Sequence, residues 1–204
     1  MQTFNDEDKQ ALIAFKTVAD SDDIRFKEII KNILLNNRFI LHVLNNQELE
    51  SNLDTVPEDY YETNIFPYYQ INTTQTNVQN YICYETSFNE ESRYNDMVKY
   101  GQVIFYILCE QKNVIDTETD IPKHDLLAAL IMDEFNWSNV FGGQVRCVSN
   151  KPSVVDTKYA CRTLIFEGRF NNSIAKTNNR IRKENDPNNP GTRIVSEKYY
   201  GINK

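Results

Sequence analysis

The sequence has little of what catalysis usually draws on. It contains two histidines, His42 and His124, and no GxxxxGK[ST] or GxGxxG segment, so a phosphate-cradling loop is unsupported. HExxH and GxSxG are also missing. The four cysteines, Cys83, Cys109, Cys147 and Cys161, lie far apart and form no CxxC pair, which argues against a zinc ribbon or a thioredoxin-type redox site. Each falls in its own apolar, strand-like run, where cysteine acts as a small buried hydrophobe, and all four are expected to be reduced, with no metal bound. No apolar run approaches the roughly 20 residues that cross a bilayer, and Met1–Lys9 is polar and acidic without a signal-peptide pattern. The expectation is a chain made in the cytoplasm, with no membrane partner. No internal repeat is visible.

What is present suits a packed domain with appendages. Apolar residues make up 40% of the 204 and charged residues 25%, enough for one real core and too apolar for wholesale disorder. The net charge of −7 is unevenly spread. From Asn171 to Lys204 seven Lys/Arg stand against three Asp/Glu, +4, so the first 170 residues carry −7 − 4 = −11. An acidic body with a basic tail is poor material for sequence-specific nucleic-acid binding and suits charge-complementary contact between proteins. Aromatics alternate along strand-like runs instead of interleaving with Lys and Arg, which is a core and interface pattern.

Hydrophobic spacing sets out the elements. A short helix is possible around Ala11–Phe15. Phe26, Ile29, Ile30, Ile33 and Leu34 make one stripe of a helix starting at Asp22, with Asp20–Asp23 supplying the N-cap and the favourable charge. Asn36-Asn37 breaks it, Phe39–Leu44 is a second piece, and Asn45-Asn46 is a stop. Residues 47–77 are a connector with Pro57, Pro67 and the pairs Tyr60-Tyr61 and Tyr68-Tyr69, whose aromatics should lie mainly against the chain's own core. Val78–Phe88 and Val98–Gln111 read as strands, the second apolar on both faces and therefore central. Pro122 precedes a helix over Lys123–Trp137 with Leu126, Leu127, Leu130, Ile131 and Phe135 in one stripe. Gly142-Gly143 turns into a strand over Gln144–Ser149, and Tyr159–Phe170 is the fourth.

The order α-ββ-α-ββ predicts an α+β fold: a mostly antiparallel four-stranded sheet flanked by helices, over residues 22–170. An N-terminal arm (1–21) and an extended C-terminal arm (171–204) lie outside it. Phe105, Ile107, Leu127, Leu130 and Ile165 are expected to meet in one cluster between sheet and second helix. The polar, Asn-rich arm ends in a strand-like segment, Arg193–Tyr200. Arg180, Arg182, Lys183, Ile194, Val195, Tyr199 and Tyr200 are the candidate interface, the basic residues running along an acidic neighbour and the apolar ones adding a strand to its sheet.

Two constellations could in principle carry chemistry. His124-Asp125 offers a base beside a carboxylate, but neighbours on a helix point in different directions and no thiol is near in sequence. Asp116-x-Glu118-x-Asp120 has oxygen ligands for calcium but lacks the glycine and the closing Glu of an EF-hand loop. The expectation is no catalytic residues, no metal and no cofactor.

The second half carries a more particular pattern. Tyr100–Ile107 as a strand, His124–Ile131 as a helix and Asp156–Phe166 as paired strands, with Asp156, Tyr159 and Arg162 in an Asp-x-x-Tyr-x-x-Arg spacing, resemble the tail terminator and tail-completion proteins of long-tailed bacteriophages. The resemblance follows the order of elements over residues 22–170 and centres on 100–166. It implies a non-enzymatic virion protein at the tail–neck junction, the subunit of a ring, usually six-fold, that caps the tail tube and joins tail to head. Its partners would be further copies of itself, the tail tube and the neck or head-closure proteins. The long connector and the 34-residue tail leave terminator, neck adaptor and sheath-facing ring all open. The other reading is a non-catalytic adaptor or protein-binding module of a bacterial cell.

Overall fold

A computed structural model describes residues 6–13, 22–44, 46–70, 79–90, 98–156 and 158–171. Five helices, α1 (Asp6–Ile13), α2 (Asp22–Asn36), α3 (Arg38–Leu44), α4 (Gln47–Glu50) and α5 (Lys123–Phe135), accompany five strands among the described residues. The strands are β1 (Ile65–Phe66), β2 (Tyr81–Glu90), β3 (Val98–Glu110), β4 (Val145–Asp156) and β5 (Tyr159–Asn171), ordered β1-β2-β3-β5-β4 in one sheet.

The expected mostly antiparallel four-stranded sheet needs correcting in its strand number: it has five strands and is mixed. β1 lies parallel to β2, pairing Ile65 with Ile82 and Phe66 with Cys83, while the other pairs are antiparallel. Two residues give no period to read, so β1 was invisible inside the connector. What holds it is a buried amide chain. Asn46 Nδ2 donates to Asn64 Oδ1 (2.7 Å), Asn64 Nδ2 to the Asn80 carbonyl (2.9 Å), and Asn80 Nδ2 to the Leu44 carbonyl (3.0 Å). Asn46 also caps α4 through the Glu48 and Leu49 amides, so the expected helix stop is equally a start. A fully satisfied buried network of this kind fixes one arrangement of the backbone.

Helices α2, α3 and α5 pack on one face. Tyr84, Phe105, Leu164 and Phe166 project from the sheet into a core with Phe26, Ile30 and Leu34 of α2, Ile40 of α3, and Leu127, Ile131 and Phe135 of α5. The connector's Tyr60, Tyr61 and Ile65 join the same core. Aromatic rings dominate its α2 end: Phe26 stacks on Phe141 at 4.4 Å and meets Phe170 edge-on at 4.8 Å. A buried Lys99–Asp22 ion pair ties the first turn of α2 to β3, and Arg25 adds a second contact to Asp22 at 2.9 Å.

The expected five-residue cluster holds for Phe105, Ile107 and Leu127, which are fully buried, while Leu130 is half-buried at its margin. Ile165 belongs elsewhere. It pairs with Ile104, one step out of phase with Phe105 and Leu164, and so projects from the opposite face. β5 is apolar on both sides there, and only the register tells Leu164 from Ile165.

Candidate interaction surface on the open face of the sheet

Among the described residues no helix packs on the second face. At its β1 end, Phe66, Tyr81, Cys83, Leu108, Tyr159 and Cys161 form a small separate cluster, over which residues 66–70 fold back. Tyr69 meets Tyr106 there with ring centres 4.7 Å apart, and Cys83 Sγ donates to the Gln70 carbonyl.

The other end is polar and aromatic. Tyr100 pairs with Arg169, Gln102 with Glu167 and Glu167 with Arg146, so these five side chains form two rows across β3, β5 and β4. Tyr100 donates its O–H to one Glu167 oxygen, which holds the phenol above its ordinary pKa, and Gln102 Nε2 donates to the other at 3.1 Å. Beside the rows, Trp137 and Gln144 from the α5–β4 turn complete a cleft of about 530 Å³ lined by Tyr100, Trp137, Gln144, Arg146, Glu167 and Arg169.

Trp137 is the unusual member. It is the only tryptophan, 61% exposed, and its backbone is left-handed at φ 63°. α5 ends at Phe135 and is capped by Asn136, whose N–H still reaches the Met132 carbonyl, and Trp137 takes the next position, where glycine or asparagine is favoured. An aromatic residue there is strained by roughly 1–2 kcal/mol. Trp137 N–H bonds the Val145 carbonyl (2.8 Å), Val145 N–H the Ser138 carbonyl (3.1 Å) and Cys147 N–H the Asn136 side chain (2.9 Å), so the turn also closes the outer edge of β4. The ring is thereby held outward over the cleft rather than inward over the core.

The arm residues singled out from the sequence, Arg180, Arg182, Lys183, Ile194, Val195, Tyr199 and Tyr200, lie outside the described residues, as does the whole arm beyond Asn171. The reading missed Trp137, Tyr100, Gln144, Arg146 and Arg169 as a site. The available signal was a tryptophan immediately after a helix, at a position that normally takes a small residue.

The two weaker constellations resolve differently. His124 Nε2 does approach Asp125 Oδ1 (3.2 Å), so the expected divergence of these helix neighbours does not hold. That oxygen is also taken by Arg162 Nε at 2.6 Å, and Arg162 extends to Asn150 at 2.6 Å, so Asp125 serves to bind α5 to β5 and β4. Burial lowers the His124 pKa, Asp125 opposes this, and Arg162 adds to it; His124 Nδ1 is buried without a hydrogen-bond partner. In the acidic loop, Asp116 accepts from the Thr119 amide (3.0 Å) and hydroxyl (2.8 Å), which lowers its pKa and spends one of its oxygens on the turn. Among the described residues no three His, Cys, Asp or Glu converge as metal ligands. The four cysteines are unbonded to one another, with Cys83, Cys109 and Cys161 buried and Cys147 half-buried. Burial raises all four thiols, Cys83 to about 11.

No curated protein matches the chain. A family model, YomW, matches residues 36–167, more than half the chain and the span that holds the cleft's α5–β4 turn, Tyr100, Arg146 and Glu167. The chain therefore belongs to the YomW family, a family of prophage origin, and is a phage-associated protein.

Proposed function

We propose that this protein is a structural subunit of the phage particle, a tail-terminator or neck-ring protein that caps the tail tube and joins tail to head without performing catalysis. It would act at the tail–neck junction of the virion, in contact with its own copies, the tube and the neck or head-closure proteins. The observation that carries the reading is the one-sided sheet. Helices cover one face among the described residues, while the other offers an exposed tryptophan, two arginines and a ready cleft. Tryptophan and arginine are the side chains that most often carry binding energy at protein contacts, so such a surface suits a neighbour seated on it.

Prophage ancestry and the acidic body with its basic C-terminal segment support the same reading, since stacked rings need opposite charges on facing surfaces. The test is genetic and structural together. Deleting the coding sequence from the phage that carries it should give separated heads and tails of uncontrolled length, visible by electron microscopy and restored by the full chain. A copy ending at residue 171 should restore joining poorly. Normal particles after deletion would refute the assignment, and the adaptor reading would then gain. Full rescue by the truncated copy would refute the role given to the arm.

A further inference from the structure

We infer that the cleft at Trp137 is the socket of a head-to-tail contact between copies of this chain, and that its occupant is the acidic loop 47–62 of the next copy. The inference rests on the ring reading above and supplies its interface.

The loop is chemically matched to the cleft. Residues 47–62 hold six carboxylates, Glu48, Glu50, Asp54, Glu58, Asp59 and Glu62, all exposed, and no Lys or Arg. At its tip Leu53 is fully exposed (103%) and Val56 half-exposed (49%), although the loop is anchored by the Asn46 cap and by Asp59 accepting from the Val56 amide at 2.9 Å. An apolar knob held rigid and ringed by carboxylates is complementary to an exposed indole flanked by two guanidiniums. Glu167, whose oxygens accept from Tyr100 and Gln102, offsets one of the two arginines and leaves the cleft with a net charge of +2 − 1 = +1, still opposite in sign to the loop.

Position makes the contact intermolecular. The loop runs directly into β1, one edge of the sheet, and the Trp137 turn is bonded to β4, the other edge. The cleft reaches inward to Tyr100 on β3, and Phe66 of β1 lies level with Tyr106, roughly 20 Å further along that strand, so one chain does not fill its own socket. Two different surfaces on opposite edges define a heterologous contact, which repeats until it closes as a ring or continues as a filament. Tolerating left-handed strain at Trp137 makes sense if the ring must face a neighbour.

The experiment uses the full chain and its single tryptophan. Sedimentation of the wild type should show concentration-dependent assembly that weakens with salt, together with a blue shift of Trp137 emission as the indole is covered. Leu53→Lys spoils the knob at a site outside the core, and Trp137→Gly spoils the socket while fitting the backbone. Each alone should weaken association roughly thirty-fold or more and sediment as a monomer. Mixed, they should give a one-to-one dimer that grows no further, because one intact knob meets one intact socket. Circular dichroism on each variant checks that the fold is kept. A wild type that assembles while both variants assemble equally well overturns this interface and leaves the ring reading standing. Variants that stay monomeric when mixed overturn the pairing of these two surfaces. A wild type monomeric at every concentration, with unchanged emission, overturns this inference; the deletion phenotype above then decides the ring reading separately.

Discussion

Replacing Gly101 by alanine probes how tightly the aromatic end of the core is packed. Gly101 on β3 lies opposite both Phe88 on β2 and Gly168 on β5, and the Phe170 ring fills the room that the missing side chain leaves. A Cβ at position 101 would stand 2.6 and 2.8 Å from two carbons of Phe170 and 2.7 Å from one of Phe88. Favourable carbon contacts begin at about 3.5 Å, so a ring must move by most of an ångström. Phe170 has nowhere to go: Phe26 meets it edge-on at 4.8 Å, with Phe88 at 6.2 Å and Phe141 at 6.5 Å. Overpacking of this kind costs about 1–3 kcal/mol. Urea unfolding followed by circular dichroism should show a lower midpoint at unchanged slope. Phe170→Leu, which trims the ring, should destabilise alone yet relieve the alanine. The double variant is then less damaged than the sum of the singles, by about 0.5–3 kcal/mol. A Gly101→Ala protein within about 0.5 kcal/mol of wild type, or strict additivity with Phe170→Leu, would show that Phe170 does not depend on the glycine's space.

Two further outcomes follow from the interior. Asp22→Ala strips the partner from the buried Lys99 ammonium and should cost about 3–5 kcal/mol, whereas Asp22→Leu combined with Lys99→Met should recover most of it; urea midpoints of the three proteins decide, and a loss under about 1 kcal/mol for Asp22→Ala counts against a structural ion pair. The raised thiols predict both reactivity and alkaline stability. Alkylation of native protein near neutral pH, followed by mass spectrometry, should label Cys147 well before Cys83, Cys109 and Cys161. Because the folded pKa values lie above the unfolded ones, burial of the neutral thiols stabilises fully below about pH 9. That contribution is lost as pH rises through about 11 for Cys83, so a stability that stays level across this range would contradict the burial.

Side-chain spacing alone was enough for the elements whose periodicity extends over several turns or pairs. The stripe Phe26–Leu34, the Asn36-Asn37 break, the helix from Lys123 and the two-sided apolar run of β3 were all legible, because side-chain spacing of 3.6 or 2 follows directly from backbone geometry. Two-residue β1 was not, since its place depends on Asn46, Asn64 and Asn80 meeting from distant points of the chain. Nor was the face of Ile165, which a single step of register decides. The candidate site was the least legible part. Its residues come from β3, the α5–β4 turn, β4 and β5, with nothing in their spacing to link them, and they converge only because β5 lies between β3 and β4. Composition disclosed an acidic body; only tertiary structure placed an acidic knob on one edge of the sheet and an arginine-flanked tryptophan on the other, because strand order, which sets those edges, arises from long-range pairing that local sequence does not encode.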